Sequence, residues 1–409
     1  MPRRRIETVL AVLVGAVALG LLAFGSLWVY ISATATPIHP NLQDVTSVTQ
    51  SAPLAKWTDP IAEARQIARA HLVDHNLPGL SVAVGAAGDI VWAEGLGWAD
   101  IEHKTPVGPE TRFRIGTAST PLTSAAVGVL VEQGRLDLDE PIQKHVPDFP
   151  ETQWPVTLRQ VMGHVAGLPN DGGDESELFS RHCDRPVDAL KNFAGRSLRF
   201  EPGTEMRYSN YGFIVVSAAI EAAADELFLT FMRKQIFEPL GMKATEADPS
   251  IAGVAPIMDR ASSYFPRFAA DPRYGPDVMR DLDISCYAGS SVFVSTPSDL
   301  ARFAMAINRG KLLRPETVQL LQAPQRLASG AETGYGLGWD IETATIAGAQ
   351  TRVVGHDGDL LGGMVSSLIT LPITLNDQGI VVSVISNTSY ADTYSLAVKI
   401  AQAFVKTKN

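Results

Sequence analysis

The sequence predicts an α/β fold of the α+β kind, with one antiparallel sheet between helices. Residues 80–85 and 90–95 are apolar and flank Ala-Gly-Asp at 87–89, a pattern typical of a β-hairpin. Strand-like segments return in the last third of the chain, at 335–340, 353–358, 365–371 and 379–386. Because strands lie towards both ends, we expect a sheet completed by both termini and flanked by helices. A mostly helical subdomain is expected as an insertion at roughly 125–290.

The helices are predicted from apolar residues that recur at helical spacing. Such segments lie at 61–72, 122–132, 213–224 and 393–405, and a further helix is expected to begin near Ser298. By contrast, 249–287 contains several prolines and aromatic residues and predicts a long irregular excursion. This excursion either borders a pocket or covers a subdomain.

Composition narrows the classes of function. The chain has 409 residues, 45% hydrophobic and 19% charged, as expected for one large or two modest globular domains. Its net charge is -10, and no Lys/Arg cluster in the domain offsets it, so nucleic acid is not expected as a partner. No Cys/His spacing suits zinc and no Gly-rich phosphate loop follows a strand, so we expect no metal and no organic cofactor.

The amino terminus predicts a membrane anchor at 1–35. Residues 8–31 are apolar or small, which matches the roughly 20 residues that cross a bilayer core. Arg3, Arg4 and Arg5 would stay in the cytoplasm, and Trp28 and Tyr30 would lie at the outer interface. We therefore expect a single-pass protein with its domain on the periplasmic or extracellular side.

A cleavable signal peptide is the alternative for this terminus. Residues 33–35 read Ala-Thr-Ala, which resembles a cleavage site, but the apolar segment is longer than a usual signal core of about 7–15 residues. Residues 36–57 predict a linker, and 58–409 the folded domain. Cys183 and Cys286 are the two cysteines of this exported chain, and the sequence leaves open whether they pair.

Three short motifs point to a function. Residues 112–123 read Arg-Phe-Arg-Ile-Gly-Thr-Ala-Ser-Thr-Pro-Leu-Thr, a glycine turn that leads into an apolar helix. Tyr208 and Asn210 form a Tyr-x-Asn motif, and 356–358 read His-Asp-Gly. In this order, the motifs resemble those of the serine β-lactamase and penicillin-binding-protein superfamily, in its class C β-lactamase and LACTB-like branch. The resemblance extends from about residue 61 to the end and implies a β-lactamase-like fold.

The resemblance also implies a role for each matching residue. The family shows Ser-x-x-Lys at the helix start, where this chain has Thr117 in the serine position and Thr120 in the lysine position. Thr117, Thr120 and Tyr208 thus occupy the catalytic positions, and Tyr208 would be the acid/base. Asn210, His356 and Gly358 occupy positions expected to bind substrate, and the strand of the third motif frames the oxyanion hole.

The two threonines change the expected chemistry. Thr117 keeps a hydroxyl that a nearby base can activate, but its methyl group restricts the side chain and crowds the attack. Thr120 carries no positive charge. A tyrosine without a neighbouring cation has a pKa of about 10, so forming its phenolate at neutral pH costs about 4 kcal/mol, a factor of about a thousand.

Three functions remain open from the sequence. The first is an acyl hydrolase acting on an ester, amide or peptide with Thr117 as nucleophile. The second is a catalytically impaired pseudoenzyme whose cleft binds a cell-wall fragment or a protein partner. The third is a self-assembling structural protein.

Two further residues lie near the motifs. His164 belongs to a His-x-x-Gly-Leu turn and is expected to be packed and hydrogen-bonded. Asp359 follows the third motif. Its carboxylate would repel developing negative charge if it points into the site.

Overall fold

The computed structural model describes residues 2–50, 54–169, 178–179, 181–248, 259–279, 282–360, 364–372 and 379–405. Side chains are described from residue 10 onwards, except that of Leu360. The first part of the predicted excursion, 249–258, lies outside the described residues.

Helices occur at both ends of the domain and through its middle. They are α1 (Pro2–Thr34), α2 (Thr58–Asp74), α3 (Thr120–Glu132), α4 (Ile142–His145), α5 (Leu158–Met162), α6 (Pro186–Leu190), α7 (Asn210–Ala224), α8 (Phe228–Met232), α9 (Pro297–Asn308), α10 (Pro315–Leu321) and α11 (Thr393–Val405). Several begin at recognisable caps: the hydroxyl of Thr157 accepts the Gln160 N–H before α5, and that of Thr296 accepts the Asp299 N–H before α9. The predicted cap near Ser298 is therefore Thr296.

The strands form one large antiparallel sheet and two small ones. They are β1 (Ser47–Thr49), β2 (Gly79–Ala86), β3 (Asp89–Asp100), β4 (Thr105–Pro106), β5 (Phe113–Arg114), β6 (Glu246–Ala247), β7 (Tyr264–Pro266), β8 (Pro276–Val278), β9 (Phe293–Ser295), β10 (Asp340–Ile346), β11 (Ala349–Leu360), β12 (Met364–Thr370) and β13 (Val381–Ser386). The large sheet has the order β1-β3-β2-β13-β12-β11-β10, with β4 paired to β3.

The sheet order confirms the predicted fold. β13 from the end of the chain pairs with β2 from the beginning, so residues that are 300 positions apart complete one sheet. Helices α2 and α11 cover one face, where Trp57, Leu72 and Phe404 are buried. The opposite face packs on α9 and on the turn before α3, and α7 packs on α3 within the same larger core. Apolar residues on both faces explain why the central strands β2 and β13 are buried along their whole length.

Two segments differ from expectation or extend it. Residues 335–340 were predicted as a strand, but they form a turn in which the Gly336 N–H bonds Trp339 O, and the strand β10 begins at Asp340. The prediction for this segment is therefore wrong. Within 36–57, predicted as a linker, β1 pairs with β3 and forms the edge of the large sheet, and Trp57 is buried.

The two cysteines form a disulfide. Cys183 and Cys286 are joined, which ties the segment before α6 to the loop before β9. This answers the question that the sequence left open.

Candidate functional site

The first wall of the site is the turn before α3. Residues Gly116–Ser119 form one 3₁₀ turn that continues into α3, and Gly116 has a φ of +52°, which a glycine adopts without strain. The turn is held from β12, because the Ser366 hydroxyl donates to Ile115 O at 3.0 Å. Since α3 is apolar and buried on nearly all sides, its start is fixed against the sheet. Thr117 is partly exposed on this turn.

The Thr117 hydroxyl lies between two backbone groups of β11. It donates to the carbonyl oxygen of Asp357 at 3.2 Å and accepts the N–H of Asp359 at 3.2 Å. This places Thr117 at the third motif, as expected for the family nucleophile position. The Asp359 N–H is the type of donor that stabilises an oxyanion, and here it is already bonded to the hydroxyl.

Gly358 makes this close approach possible. A Cβ built on Gly358 would lie 2.1 Å from Ile115 O, 2.2 Å from Ser366 Oγ and 2.9 Å from the Ala118 Cβ. Any side chain at this position would push β11 away from the turn. Gly358 therefore sets the distance between β11 and the turn.

Thr120 does not reach the open part of the site. The residue is fully buried, and its hydroxyl has no hydrogen-bond partner among the described residues. The hydroxyl of Ser119 is likewise buried and has no hydrogen-bond partner among the described residues. Within the described part of the chain, neither Thr117 nor Thr120 has a hydrogen bond or ion pair with a Lys, Arg or His side chain. The cation of the family motif is therefore not replaced by a contact from another element.

The second wall is the Tyr-x-Asn segment that leads into α7. The Ser209 hydroxyl donates to Pro169 O at 2.6 Å, and the Ser209 N–H donates to the Nδ1 of His164 at 3.3 Å. Ser290 donates from its hydroxyl to Oδ1 of Asn210 at 3.2 Å. These contacts hold Tyr208 and Asn210, both partly exposed, on the side of the site formed by the helical insertion.

His164 supports this wall from behind. The residue is buried with a φ of +57°, and its ring centroid lies 4.1 Å from that of Tyr208. Burial and the nearby His356 lower the pKa of His164 to about 3, so its ring is neutral at physiological pH. The prediction that His164 is packed and hydrogen-bonded is confirmed. Its Nε2 has no partner among the described residues.

His356 is oriented by two contacts, neither of which involves Thr117. Its Nδ1 lies 2.5 Å from Asp357 O, and its Nε2 lies 2.9 Å from the Tyr335 hydroxyl. Because a carbonyl only accepts, Nδ1 carries the proton and Nε2 accepts the Tyr335 O–H. Burial, with Tyr208 and Asp340 nearby, raises the pKa of Tyr335 well above its ordinary value. His356 therefore helps shape the site and is not a base for Thr117 in this arrangement.

The two residues whose backbone groups contact the Thr117 hydroxyl, Asp357 and Asp359, both carry carboxylates. Asp357 is solvent-exposed as a residue, but its carboxyl group has lost enough hydration to raise its pKa to about 6, and the neighbouring Asp340 and Glu342 act in the same direction. Lost hydration also raises the pKa of Asp359. Both side chains lie on the face of the sheet that α11 covers, away from the turn that holds Thr117. The Asp357 carboxyl hydrogen-bonds Ser367, and Asp359 is paired with Val365, which packs in the core beside α11.

The structure therefore brings together most of the predicted residues and adds others. Thr117, His356 and Gly358 meet at the edge of β11, and Tyr208 joins them through ring contacts with His356 at 6.3 Å. Asn210 lies at the second wall, and Thr120 is buried beneath the turn.

The site also contains Tyr335, Ser290 and Asp340, which were not expected there from the sequence. Tyr335 has a local signal, since it begins Tyr-Gly-Leu-Gly-Trp, but that segment was interpreted as a strand. Among the described residues, no group of three or more His, Cys, Asp or Glu side chains is placed to hold a metal ion.

Comparisons with known proteins agree with this geometry. The model of the beta-lactamase family matches residues 64–404. The chain is 27% identical to the serine beta-lactamase-like protein LACTB, mitochondrial, of Homo sapiens, over 81% of this chain and 77% of that protein. It is also 27% identical to penicillin-binding protein 4* of Bacillus subtilis (strain 168), over 68% of this chain and 62% of that protein.

Solved structures show the same fold. The D-amino acid amidase from Ochrobactrum anthropi SV3, complexed with D-phenylalanine, superposes with a TM-score of 0.68 at 22% identity. The superposition covers 86% of this chain and 100% of the amidase.

Proposed function

Because this chain belongs to the beta-lactamase family, we propose that it binds an acyl compound in the family's cleft and forms a covalent acyl intermediate slowly or not at all. One observation carries this proposal. The hydrogen bonds of the Thr117 hydroxyl are made to the Asp357 carbonyl and the Asp359 N–H, with no basic side chain among its partners.

Acylation of Thr117 has two requirements that this arrangement does not meet. First, a base must remove the hydroxyl proton as the oxygen attacks the substrate carbonyl carbon. Here the proton is directed at the Asp357 carbonyl oxygen, which is too weak a base to take it. Second, backbone N–H groups must be available to the oxyanion that forms. The Asp359 N–H is bonded to Thr117 itself.

Two side chains at the positions expected to bind a ligand, by contrast, are held by hydrogen bonds. His356 is held in one orientation and one tautomer by Tyr335 and the Asp357 carbonyl, and Asn210 is held by Ser290. Since relatives in fold include a D-amino acid amidase and a D-stereospecific amidohydrolase, we propose an amide or peptide with a D-amino acid, such as a cell-wall fragment, as the ligand. A protein segment with the same chemistry is a further outcome of the binding test.

Slow hydrolysis by Thr117 is the second candidate. It is favoured by the partial exposure of Thr117 and by its position against β11. Rotation of the side chain would release the Asp359 N–H for an oxyanion. Proton removal would then have to rely on water or on Tyr208, at the cost of about three orders of magnitude given above.

The test is intact-mass spectrometry of the protein after exposure to a fluorophosphonate or a penicillin. We expect no adduct on the folded protein within hours. An adduct that is absent from the Thr117→Ala variant would show that Thr117 is a working nucleophile and would replace the pseudoenzyme proposal by the hydrolase.

Binding is measured separately by calorimetry with D-alanyl-D-alanine peptides. Binding should persist in Thr117→Ala and weaken in His356→Ala. If neither the parent protein nor the Thr117→Ala variant binds such peptides, the proposed ligand class is wrong.

We also propose that α1 anchors the domain in a membrane as a single span. Residues Leu10–Thr34 are long and apolar enough to cross a bilayer, with a mean hydropathy of 2.4, and they are exposed along their length. Arg3, Arg4 and Arg5 precede the span, which favours a domain on the periplasmic or extracellular side. Carbonate extraction tests the anchor, and protease accessibility in intact cells tests the side. Release of the full chain by carbonate would contradict the membrane anchor.

A further inference from the structure

One face of the domain lies directly against the outer end of α1. It is the hairpin 264–278, which consists of β7, β8 and the turn between them. The rings of Phe24 and Phe268 are 5.8 Å apart, and the Trp28 indole N–H donates to the Tyr274 hydroxyl at 3.1 Å. Further along α1, the Arg267 guanidinium donates to the Thr34 hydroxyl at 3.4 Å. These contacts use the part of α1 that belongs to its apolar span.

The position of these contacts along α1 sets their depth. At 1.5 Å per residue, Phe24 is about 15 Å from Thr34 along the helix axis. The span Leu10–Thr34 has 25 residues. It is therefore about 37 Å long, against a hydrocarbon core of about 30 Å. If Trp28 lies at the headgroup level, where indole rings prefer to be, then Phe24 and its partner Phe268 reach the boundary of the acyl chains.

The hairpin has the side chains that such a boundary selects. Phe268 and Tyr274 are only partly covered, and Val278 is 67% exposed, one of the most exposed large apolar residues outside α1. Arg267 is exposed and has a long stem that keeps its charge in the polar layer while its methylenes lie deeper. An aromatic and aliphatic surface with a cation at its edge is typical of segments that enter the membrane interface.

The charge of the hairpin also indicates the type of lipid surface. Arg267 and Arg273 are balanced by Asp271 and Asp277, and Arg273 is already paired with Asp271 at 2.6 Å. The surface thus has no net positive charge that would require anionic lipids. We therefore expect the hairpin to bind a zwitterionic interface by inserting its apolar side chains, and not to bind anionic lipids by electrostatic attraction.

The hairpin is firmly connected to the rest of the domain. The Tyr264 hydroxyl accepts the Ile101 N–H at 2.8 Å, the Tyr264 N–H bonds Asn387 O, and the Ser389 N–H bonds Tyr264 O. Because Asn387 follows β13 directly, a force on the hairpin is passed to the central sheet. A hairpin held in the interface would fix the tilt of the whole domain.

We propose that residues 264–278 are a membrane-docking hairpin that enters the headgroup layer of a phospholipid bilayer beside α1. The partner is the lipid surface itself. This gives a role to the described part of the excursion 249–287. The proposal depends on α1 being a membrane span and not on the activity of the cleft.

The test uses the full chain in phosphatidylcholine nanodiscs, with an environment-sensitive dye on a single introduced cysteine. The native cysteines are joined to each other and do not react with the dye. Val278→Cys carries the dye on the hairpin. Leu229→Cys, which is 40% exposed on α8, is the matched apolar control on the helical insertion, and Val17→Cys reports on the anchor. Lipids with a spin label near the headgroup quench a dye at that depth.

We expect the Val278 dye to be quenched at least threefold more than the Leu229 dye, with emission shifted to shorter wavelength and little change between 0.05 and 0.5 M salt. Equal quenching at Val278 and Leu229, with the Val17 dye quenched by a label at the bilayer centre, would overturn the docking hairpin and leave the anchor intact. A Val17 dye that no lipid label quenches would overturn both. Strong loss of Val278 quenching in high salt would contradict the zwitterionic interface.

Discussion

The two walls of the cleft differ in how closely their residues match the family motifs. The edge of β11 has the His-x-Gly residues of the third motif: His356 is held by two hydrogen bonds, Gly358 has no room for a side chain, and the Asp359 N–H is bonded to the Thr117 hydroxyl. At the start of α3, Thr117 occupies the position that the resemblance assigns to the nucleophile. Thr120, at the position that it assigns to the lysine, is buried, and its hydroxyl has no partner among the described residues.

This difference shows that the geometry of a site and its chemistry depend on different parts of the chain. The distance between the walls comes from backbone groups and from Gly358, which do not depend on the identity of residues 117 and 120. Proton transfer depends instead on the side chains and water molecules that can accept or donate the proton. A scaffold can therefore keep its shape after its acid/base chemistry is reduced, and the predictions below separate the two.

The largest effect is expected from Gly358→Ala, which would break the contact between the walls. The new Cβ would meet backbone and side-chain atoms at 2.1 to 2.9 Å, so β11 or the turn must move. We expect a loss of about 5 kcal/mol in the free energy of unfolding, or failure to fold, because the neighbours are buried on both sides. Urea unfolding measures this. Gly195→Ala is the control, since a Cβ there meets nothing within 4 Å. Equal stability of the two variants would contradict the close approach.

The next effect is a gain of reactivity in the double variant Thr117→Ser with Thr120→Lys. The lysine would supply the missing cation beside the serine, and its charge would lower the cost of forming a base nearby. We expect the rate of fluorophosphonate adduct formation to rise by up to about a thousandfold over Thr117→Ser alone. The rate is followed by intact mass on protein whose circular dichroism matches the parent. A folded double variant with no gain would show that residues 117 and 120 are not the family's catalytic positions.

A third prediction tests whether His164, which packs against Tyr208, is a buried and neutral residue. His164 has a pKa of about 3 in the folded protein against about 6.5 when unfolded. The unfolded chain therefore binds the proton first, and stability is lost as the pH falls from about 6.5 towards 3. The slope from this residue approaches about 1.4 kcal/mol per pH unit.

His164→Asn should remove that slope while keeping the fold. Asparagine tolerates the φ of +57°, and its oxygen can accept the Ser209 N–H. His71, whose burial lowers its pKa to about 4, acts in the same direction and remains in the variant, so some dependence on pH persists. Urea unfolding at pH 7.5 and 5 measures the slope for both proteins. An unchanged slope would show that His164 is not a neutral, buried residue.

The smallest effect is expected from Tyr335→Phe, which tests whether Tyr335 orients His356 on β11. The variant removes the donor to His356 Nε2 and leaves that buried nitrogen unpaired. We expect a loss of about 1–2 kcal/mol in the free energy of unfolding and weaker binding of D-alanyl-D-alanine peptides. Tyr390→Phe is the control, since Tyr390 is 54% exposed and is expected to change stability by less than about 0.5 kcal/mol. Two equal losses would mean that Tyr335 does not orient His356.

Local patterns predicted the elements that depend on local residues. The hairpin of β2 and β3 followed from two apolar segments and a short polar turn, and α11 at Thr393–Val405 from apolar residues at helical spacing. Residues 335–340 were mistaken for a strand because Tyr335, Leu337 and Trp339 alternate with glycine. Their burial comes instead from packing of a turn on α3, where the Ser124 hydroxyl bonds Leu337 O and accepts the Trp339 N–H. No local pattern contains that contact.

The family, the order of the motifs and the absence of a basic side chain at position 120 follow from residue identity alone. Only the tertiary structure decided that the Thr117 hydroxyl is bonded to both sides of Gly358 in β11, that His356 faces Tyr335, and that the hairpin 264–278 lies against the end of α1. Each of these contacts joins residues that are distant in sequence. Their distances depend on how the sheet and helices pack together, which residue order alone does not specify.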